Sequence, residues 1–357
     1  MNSNAIAAKR KADSAFLKKG VVIAILSGVT YGLYTGFMTL GMAKGVWGAD
    51  WYGANTSGLS TFAIVYVLGS LGSAVNDTCS AIWTLLNCAV KGMLGDFFRV
   101  LKTKPGLVMI VLAIIGGPIA STCYVVALQM GGSFIVPVAS LNAAVGAVIG
   151  HFVFKQELNG RMILGILICL GCASVIGGTS FAGLGPEALM ACGIAFICAI
   201  GWGVEGSVAG FGTTLIDYQI GITIRQCTSG LSNMIIMLPL LCMLDPGHSA
   251  SAFNLLGTAF TDSTIIFFIL SGLFAGISYS FWYKGASMCG AALGMTCNGA
   301  YAFWCPFFCW IIVGLIGGQE GWAMTPVQWI AAVIMILGIA LVGNLNPLDL
   351  FKKKKEA

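Results

Sequence analysis

Two apolar stretches of this chain read as versions of one another. Residues 24–41 are AILSGVTYGLYTGFMTLG, and residues 195–212 are AFICAIGWGVEGSVAGFG. In register they set Tyr31 on Trp202, Gly32 on Gly203, Tyr34 on Glu205 and Gly41 on Gly212. A second echo pairs ALQMGGSF from Ala127 with GASMCGAA from Gly285, so that Met130 meets Met288 and Gly132 meets Gly290. It is assigned to the fourth and ninth apolar segments. A third sets Leu170-Gly171 beside Leu337-Gly338. The echoes keep the same order in both halves, which is the signature of a duplicated bundle.

The solvent for such a bundle follows from composition. Apolar residues make up 58% of the chain and charged residues 9%, and the mean hydropathy is +0.92. An ordinary soluble domain is roughly a quarter charged. About 20 apolar residues cross the hydrocarbon core as a helix. Lipid leaves no partner for open backbone, so only helices or closed barrels span it. The long runs lack the alternation of a barrel strand. An all-α integral membrane protein is expected.

Ten transmembrane helices are expected near 20–42, 62–90, 106–129, 132–154, 162–179, 187–212, 219–243, 263–284, 288–316 and 326–344. They divide into a first five-helix unit over 20–180 and a second over 187–345. A tail precedes them at 1–19, and a basic tail follows at 346–357. The second segment is too long for one upright crossing. It is tilted, broken near 69–72, extended past the membrane, or hides an extra span.

The basic residues sort to one side. Lys9, Arg10, Lys11, Lys18 and Lys19 precede the first segment, and Lys91, Arg99, Lys102 and Lys104 follow the second. Lys155 and Arg161 follow the fourth, Lys284 the eighth, and the lysines at 352–355 the tenth. Lys44 is the one basic residue clearly assigned to the opposite side, with Asp50, Glu187, Asp245, Asp262 and Glu320. The positive-inside rule then puts both termini in the cytoplasm, in a multi-pass protein of the plasma or inner membrane. The net charge of +5 is accounted for by topology, so no nucleic-acid partner is expected. The basic C-terminal run reads as a stop signal, with contact to anionic lipid as the alternative.

Several chemistries find no support in the residues. No cleavable signal peptide is evident. The 13 cysteines fall in or at the ends of expected spans, so no disulfide framework is expected. Cys169 and Cys172 have metal-pair spacing but sit in an apolar helix without His or acidic neighbours, and Cys305 with Cys309 reads the same way. His151 and His248 are isolated, no phosphate-binding loop occurs, and no cofactor is expected.

Five spans per unit is an odd number, so the second unit must enter the membrane inverted, giving a 5+5 inverted repeat. This layout, with Tyr31-Gly32 and Trp202-Gly203 in corresponding helices, resembles the EamA-like branch of the drug/metabolite transporter superfamily. That family carries an acidic residue ending the fourth span of each unit, matched by Gln156-Glu157 and Gln319-Glu320. It often has an Arg in the second span of a unit, a place that Arg225 fits. The first unit departs, with Asn76 or Asp77 near that position and an insertion at about 42–62. The resemblance covers about 20–345. It implies a secondary transporter of small metabolites or drugs working by alternating access, not an enzyme, with a homodimer left open.

Charges within lipid usually face a cavity or a partner. Glu205, deep in the sixth span among glycines, is the leading candidate for binding a cation or carrying a proton; an interhelical hydrogen bond is the alternative. Asp77 divides evenly between a wet vestibule and a helix cap. Arg225 balances Asp77, Asp217 or a substrate carboxylate, though snorkelling to the interface is favoured. Tyr31, Tyr34, Trp83, Tyr124, Trp202, Tyr279, Trp282 and Tyr301 lie within spans and can build an aromatic box for a cation or flat ring. Asn298 is placed with them, and Asn142 shares its polar character, with interhelical bonding as the common use. Pro118, Pro137, Pro239 and Pro306 mark kinks. A channel would want a filter-like segment, and a membrane enzyme would want reactive residues gathered at one depth; neither is evident.

Overall fold

The computed structural model describes residues 3–44, 58–154, 159–181, 186–212, 215–289 and 291–342. Most of the 42–62 insertion with Asp50 lies outside the described residues, as do Lys155, Gln156, Glu157, Gly290 and the lysines at 352–355. Among the described residues all regular structure is helical. The first helix, α1, is Ser3–Met42. A π-helical stretch, Ala63–Val67, leads into α2, Leu68–Val90. Helix α3 runs through Lys104–Ile114, a π-helical Ile115–Ser121 and Thr122–Gly131. Helix α4 comprises Val136–Ala139 and Asn142–Phe154, α5 is Gly160–Phe181 and α6 is Pro186–Gly212.

In the second half, α7 runs through Tyr218–Ser232, a π-helical Asn233–Met237 and Leu238–Leu244. Helix α8 is Ile265–Cys289. Helix α9 comprises Ala291–Asn298, Tyr301–Cys309 and a π-helical Trp310–Ile316, and α10 is Pro326–Val342. Short helices at Leu94–Val100 and Ala252–Thr261 connect them.

Six of these are long and apolar enough to cross a membrane: α1 over Ala15–Met42, α3, α4 over Val136–Val153, α6 over Pro186–Ala209, α7 and α8. Shorter apolar stretches occupy Gly160–Cys172, Tyr301–Ile316 and Pro326–Leu341. Helix α2 has the length, but Ser70, Ser73, Asn76, Asp77, Ser80 and Thr84 run through it, all buried. Its polar stripe faces protein, while Ile82, Leu86 and Val90 are exposed on its outer side.

Local sequence explains the ends and the irregularities. Asp217 accepts from the backbone N–H groups of Gln219 and Ile220 at 2.8 and 3.4 Å, capping α7. Thr103 caps α3, with Pro105 in its first turn, where a missing N–H costs nothing. Pro118 lies inside the widened part of α3, where the i−4 ladder cannot close.

Three expectations need correction. The second segment is continuous through 69–72, and its irregularity lies earlier, at Ala63–Val67. Helix α1 begins at Ser3, so much of the expected tail is a helical extension. The second echo falls at the ends of α3 and α8 rather than in the fourth and ninth segments, because α3 runs on to Gly131 and α8 to Cys289.

Packing repeats between the halves. Helix α1 lies antiparallel to α8, with Gly41 against Phe268 and Gly285 against Ala24. Ser271 and Ser278 donate to the Tyr34 and Ser27 carbonyls at 3.1 and 2.8 Å. Helix α6 lies antiparallel to α3 in the same manner, with Gly201 on Ala120 and Gly212 near Met109. Helix α1 also runs parallel to α9, where Gly28, Gly32 and Gly36 meet Asn298, Trp304 and Ile312. Helix α6 runs parallel to α4, where Gly203 meets Val145 and Ser207 donates to the Gly146 carbonyl at 3.1 Å. Helices α2 and α7 pack on each other, as do α5 and α10.

Candidate functional site

The Glu205 carboxylate and the Arg225 guanidinium meet at the centre of the bundle, 1% and 0% exposed. Arg225 Nε donates to Glu205 Oε1 at 2.8 Å, and Nη2 to Oε2 at 3.3 Å. This fork fits a carboxylate in two places. Arg225 Nη1 donates to Gln226 Oε1 at 2.5 Å, and the guanidinium lies 4.4 Å from the centroid of the Tyr279 ring.

The carboxylate reaches its position because residue 116 has no side chain. A methyl group there would overlap Glu205. The Gly116 carbonyl, in the π-helical turn around Pro118, gathers three side-chain donors. Trp202 Nε1 donates to it at 3.0 Å, Arg225 Nη2 at 3.3 Å and Ser121 Oγ at 2.9 Å. Irregular backbone at membrane depth is tolerated where such partners re-satisfy it.

Around the pair stands a box of rings. Tyr31 stacks on Tyr301 with centroids 4.6 Å apart and meets Tyr34, Tyr124, Trp202 and Tyr279 edge-on. A small cavity between them has a buried lining of Tyr31, Asn142, Trp202, Glu205, Tyr279, Trp282, Asn298 and Tyr301. It has room for about one water. Glycines in α6 allow this approach: Gly203 rests on Val145, and Gly206 on the Met295 thioether. Two polar atoms at the cavity, Tyr31 OH and Trp282 Nε1, are buried without a protein partner.

Beside the cavity a polar ladder joins α2 to α7. Asn233 donates to Ser73 at 3.3 Å and to Asp77 Oδ2 at 3.0 Å, and accepts from Thr122 at 3.1 Å. Ser229 donates to the same Asp77 oxygen, Gln226 donates to Ser80, and Thr223 to the Thr84 carbonyl at 3.4 Å. Asn76 donates to Asp77 Oδ1 at 3.3 Å and accepts from Ser271 at 2.5 Å.

The structure thus gathers Tyr31, Trp202, Glu205, Tyr279, Trp282, Asn298 and Tyr301 about one cavity. Tyr34 and Tyr124 stand directly behind Tyr31. Asp77 sits in mid-helix within the ladder, neither capping a helix nor lining the cavity. Trp83 is elsewhere, donating to the Ile269 carbonyl of α8 at 3.0 Å. The expectation that Arg225 snorkels is overturned, because it is fully buried and paired with Glu205 rather than with Asp77 or Asp217. Gly116 and Gln226 were missed. Gly116 opens a Gly-Gly-Pro run that marks an irregularity but not what approaches it, whereas Gln226 beside an intramembrane Arg is a polar pair that helical spacing turns inward.

No family model and no characterised protein matches the chain. Its architecture does recur. One solved structure, described as "Crystal structure of protein", superposes with a TM-score of 0.57 at 18% sequence identity, covering 94% of this chain and 98% of that chain. A likeness at that identity establishes a shared fold over nearly the whole length, and nothing about activity.

Proposed function

We propose that this chain is a secondary transporter that moves a small organic solute through a plasma or inner membrane by alternating access, coupled to an ion or proton. In this reading ten helices form an inverted repeat, α1–α5 and α6–α10, of the EamA-like drug/metabolite type, with both termini cytoplasmic. The packing pattern supports the repeat. Exchanging the two halves carries α1–α8 onto α6–α3 and α1–α9 onto α6–α4, and returns α2–α7 and α5–α10 to themselves. Each exchanged pair keeps its parallel or antiparallel sense. A carrier built this way holds its site between the halves and opens it to alternate sides.

One observation carries the function: a buried aromatic cavity surrounds a carboxylate at the contact between the two units. Burial of every residue that lines it suits a carrier caught between its two open states and not a continuous pore. The solute we assign is an amine. An aromatic face gives a cation roughly 0.5–2 kcal/mol, and Glu205 supplies the opposing charge. Because Glu205 is already paired, the amine must displace Arg225, which keeps the Gly116 carbonyl and Gln226 as partners. When Glu205 instead takes a proton, it is the coupling group and Arg225 is released in the same way.

The Glu205→Gln variant separates the two roles. If Glu205 is the counter-ion of the amine, radioligand binding to purified protein is lost at every pH. If it carries the proton, binding persists, proton-driven accumulation stops and solute exchange continues. Unchanged binding together with unchanged accumulation would remove Glu205 from both roles.

A further inference from the structure

A second cavity lies away from the Glu205 site, at the end of the bundle where α2 and α8 finish and α7 begins. It is an open cleft of about 560 Å³ that reaches the lipid-facing surface. Leu86 and Val90 on its rim are 50% and 87% exposed. Trp83, Leu86, Leu273, Ile277 and Phe281 form an apolar slot along it, and Lys91, Lys284 and Gln219 stand at its head. Both ammonium groups flank one ring, with Lys91 Nζ 5.9 Å and Lys284 Nζ 5.5 Å from the Tyr218 centroid.

The head of the cleft is incomplete. Gln219 is 2% exposed, and its Oε1 accepts from Lys91 Nζ at 2.9 Å. An ammonium group can only donate, so that bond fixes which amide atom is the oxygen. Gln219 Nε2 is then left buried without a partner. A buried donor lacking an acceptor is costly. Asp217 caps α7 and forms no ion pair with either lysine, and two ammonium groups against one carboxylate leave a positive surplus.

We infer that this cleft binds an anionic phospholipid. The phosphate seats between Lys91 and Lys284 and accepts from Gln219 Nε2, and one acyl chain lies in the slot between α2 and α8. The charge and the orphan donor call for an anionic acceptor, and the lipid-facing apolar slot continuous with them calls for a tail. A lysine near an anionic lipid contributes about a factor of five in binding, so the pair contributes roughly 30-fold. This inference requires only that the chain is membrane-embedded with these lysines at headgroup depth. It does not depend on the role of Glu205.

The test is native mass spectrometry with thermal unfolding of the delipidated full-length chain in detergent, titrated with phosphatidylglycerol, phosphatidylcholine or inorganic phosphate. The wild type should retain a phosphatidylglycerol adduct and unfold at a higher temperature with it, while phosphatidylcholine and phosphate alone have little effect. The K91Q/K284Q variant should bind phosphatidylglycerol about 30-fold more weakly. An Ile277→Trp variant, which fills the slot and leaves the charges, should also lose the adduct. Equal binding of phosphatidylcholine, undiminished phosphatidylglycerol binding in K91Q/K284Q, or phosphate alone matching the lipid would each overturn the inference. A K91Q/K284Q variant that unfolds much earlier than wild type even without lipid would overturn it too, because the lysines would then be structural.

Discussion

Of the contacts that join α1–α5 to α6–α10, two seams are built from opposite materials. Between α2 and α7 the contacts are polar: Asn233 with Ser73 and Asp77, Ser229 with Asp77, and Gln226 with Ser80. Between α5 and α10 they are dry and largely apolar, with Gly338 against Ile168 and the Cys169 sulfur, Met335 and Ile339 buried nearby, and the Cys169 thiol donating weakly to the Met335 carbonyl at 3.8 Å. Lipid offers helices little hydrophobic drive to associate, so both seams depend on close packing, and the polar one adds hydrogen bonds. Hydrogen bonds are directional and break in discrete steps, whereas apolar packing tolerates small slides. The polar seam borders the Glu205 cavity and the dry seam stands away from it, so the proposed site lies at the more specific interface.

The comparison breaks most sharply at Arg225. Replacing it with Met leaves Glu205 buried and unpaired, and breaking a buried pair costs about 3–5 kcal/mol. Thermal unfolding of R225M in detergent should show this loss, and E205Q/R225M should recover a large part of it. If R225M unfolds like the wild type, the pair is not holding the polar region together. On the dry seam no single exchange should approach this, since Met335→Leu conserves volume and typically costs under about 1.5 kcal/mol.

A smaller contrast comes from adding one methyl to each side. G116A drives a Cβ into the Glu205 carboxylate, and G338A drives one against Ile168 Cγ2 at 2.8 Å. Overpacking costs each about 1–3 kcal/mol. G116A should also weaken solute binding by displacing Glu205 and Trp202, whereas G338A should leave binding intact. Equal binding by both variants would erase the functional difference between the two regions.

These sites also mark how far the residues could be read in advance. Glu205 stood out because a carboxylate in an apolar run demands a reason, and the aromatic residues around it were found by their helical spacing. Arg225 was misjudged because its count from the start of a span gives depth but not direction. Its burial depends on Glu205, twenty residues away on another helix, and on a carbonyl in α3. Gly116 was silent for the same reason: what a glycine admits is decided by whatever approaches it. Asn142 and Asn298 were read as polar groups in paired spans, and both line the cavity. Trp83 shares the residue type but turns to the Ile269 carbonyl of α8, away from the cavity.

The smallest effect is expected outside both seams. Asp245, in the connection after α7, accepts from the Ser249 hydroxyl at 2.6 Å, from the Ser60 hydroxyl and from the Ser249 N–H at 2.7 Å. These bonds, led by those from the Ser249 and Ser60 hydroxyls, lower its pKa from 3.8 to about 2. A carboxyl whose folded pKa is depressed stabilises the fold above its unfolded value, and that contribution is lost as pH falls through the folded one. Hydrogen exchange at Gly247 and Ser249 should therefore quicken on lowering the pH from 4 to 2, after correction for intrinsic rates. In Asp245→Asn that dependence should vanish.

The Gly116 carbonyl has a consequence of a different kind. It belongs to the main chain, so no codon change at position 116 can delete it. It also has no proton to gain or lose over the pH range of a cell. Glu205, Trp202 and Ser121 can each be exchanged by a single mutation, but the acceptor they surround passes to every descendant of this chain. Divergence in what the cavity takes can therefore proceed through its walls while Arg225 keeps one inherited anchor.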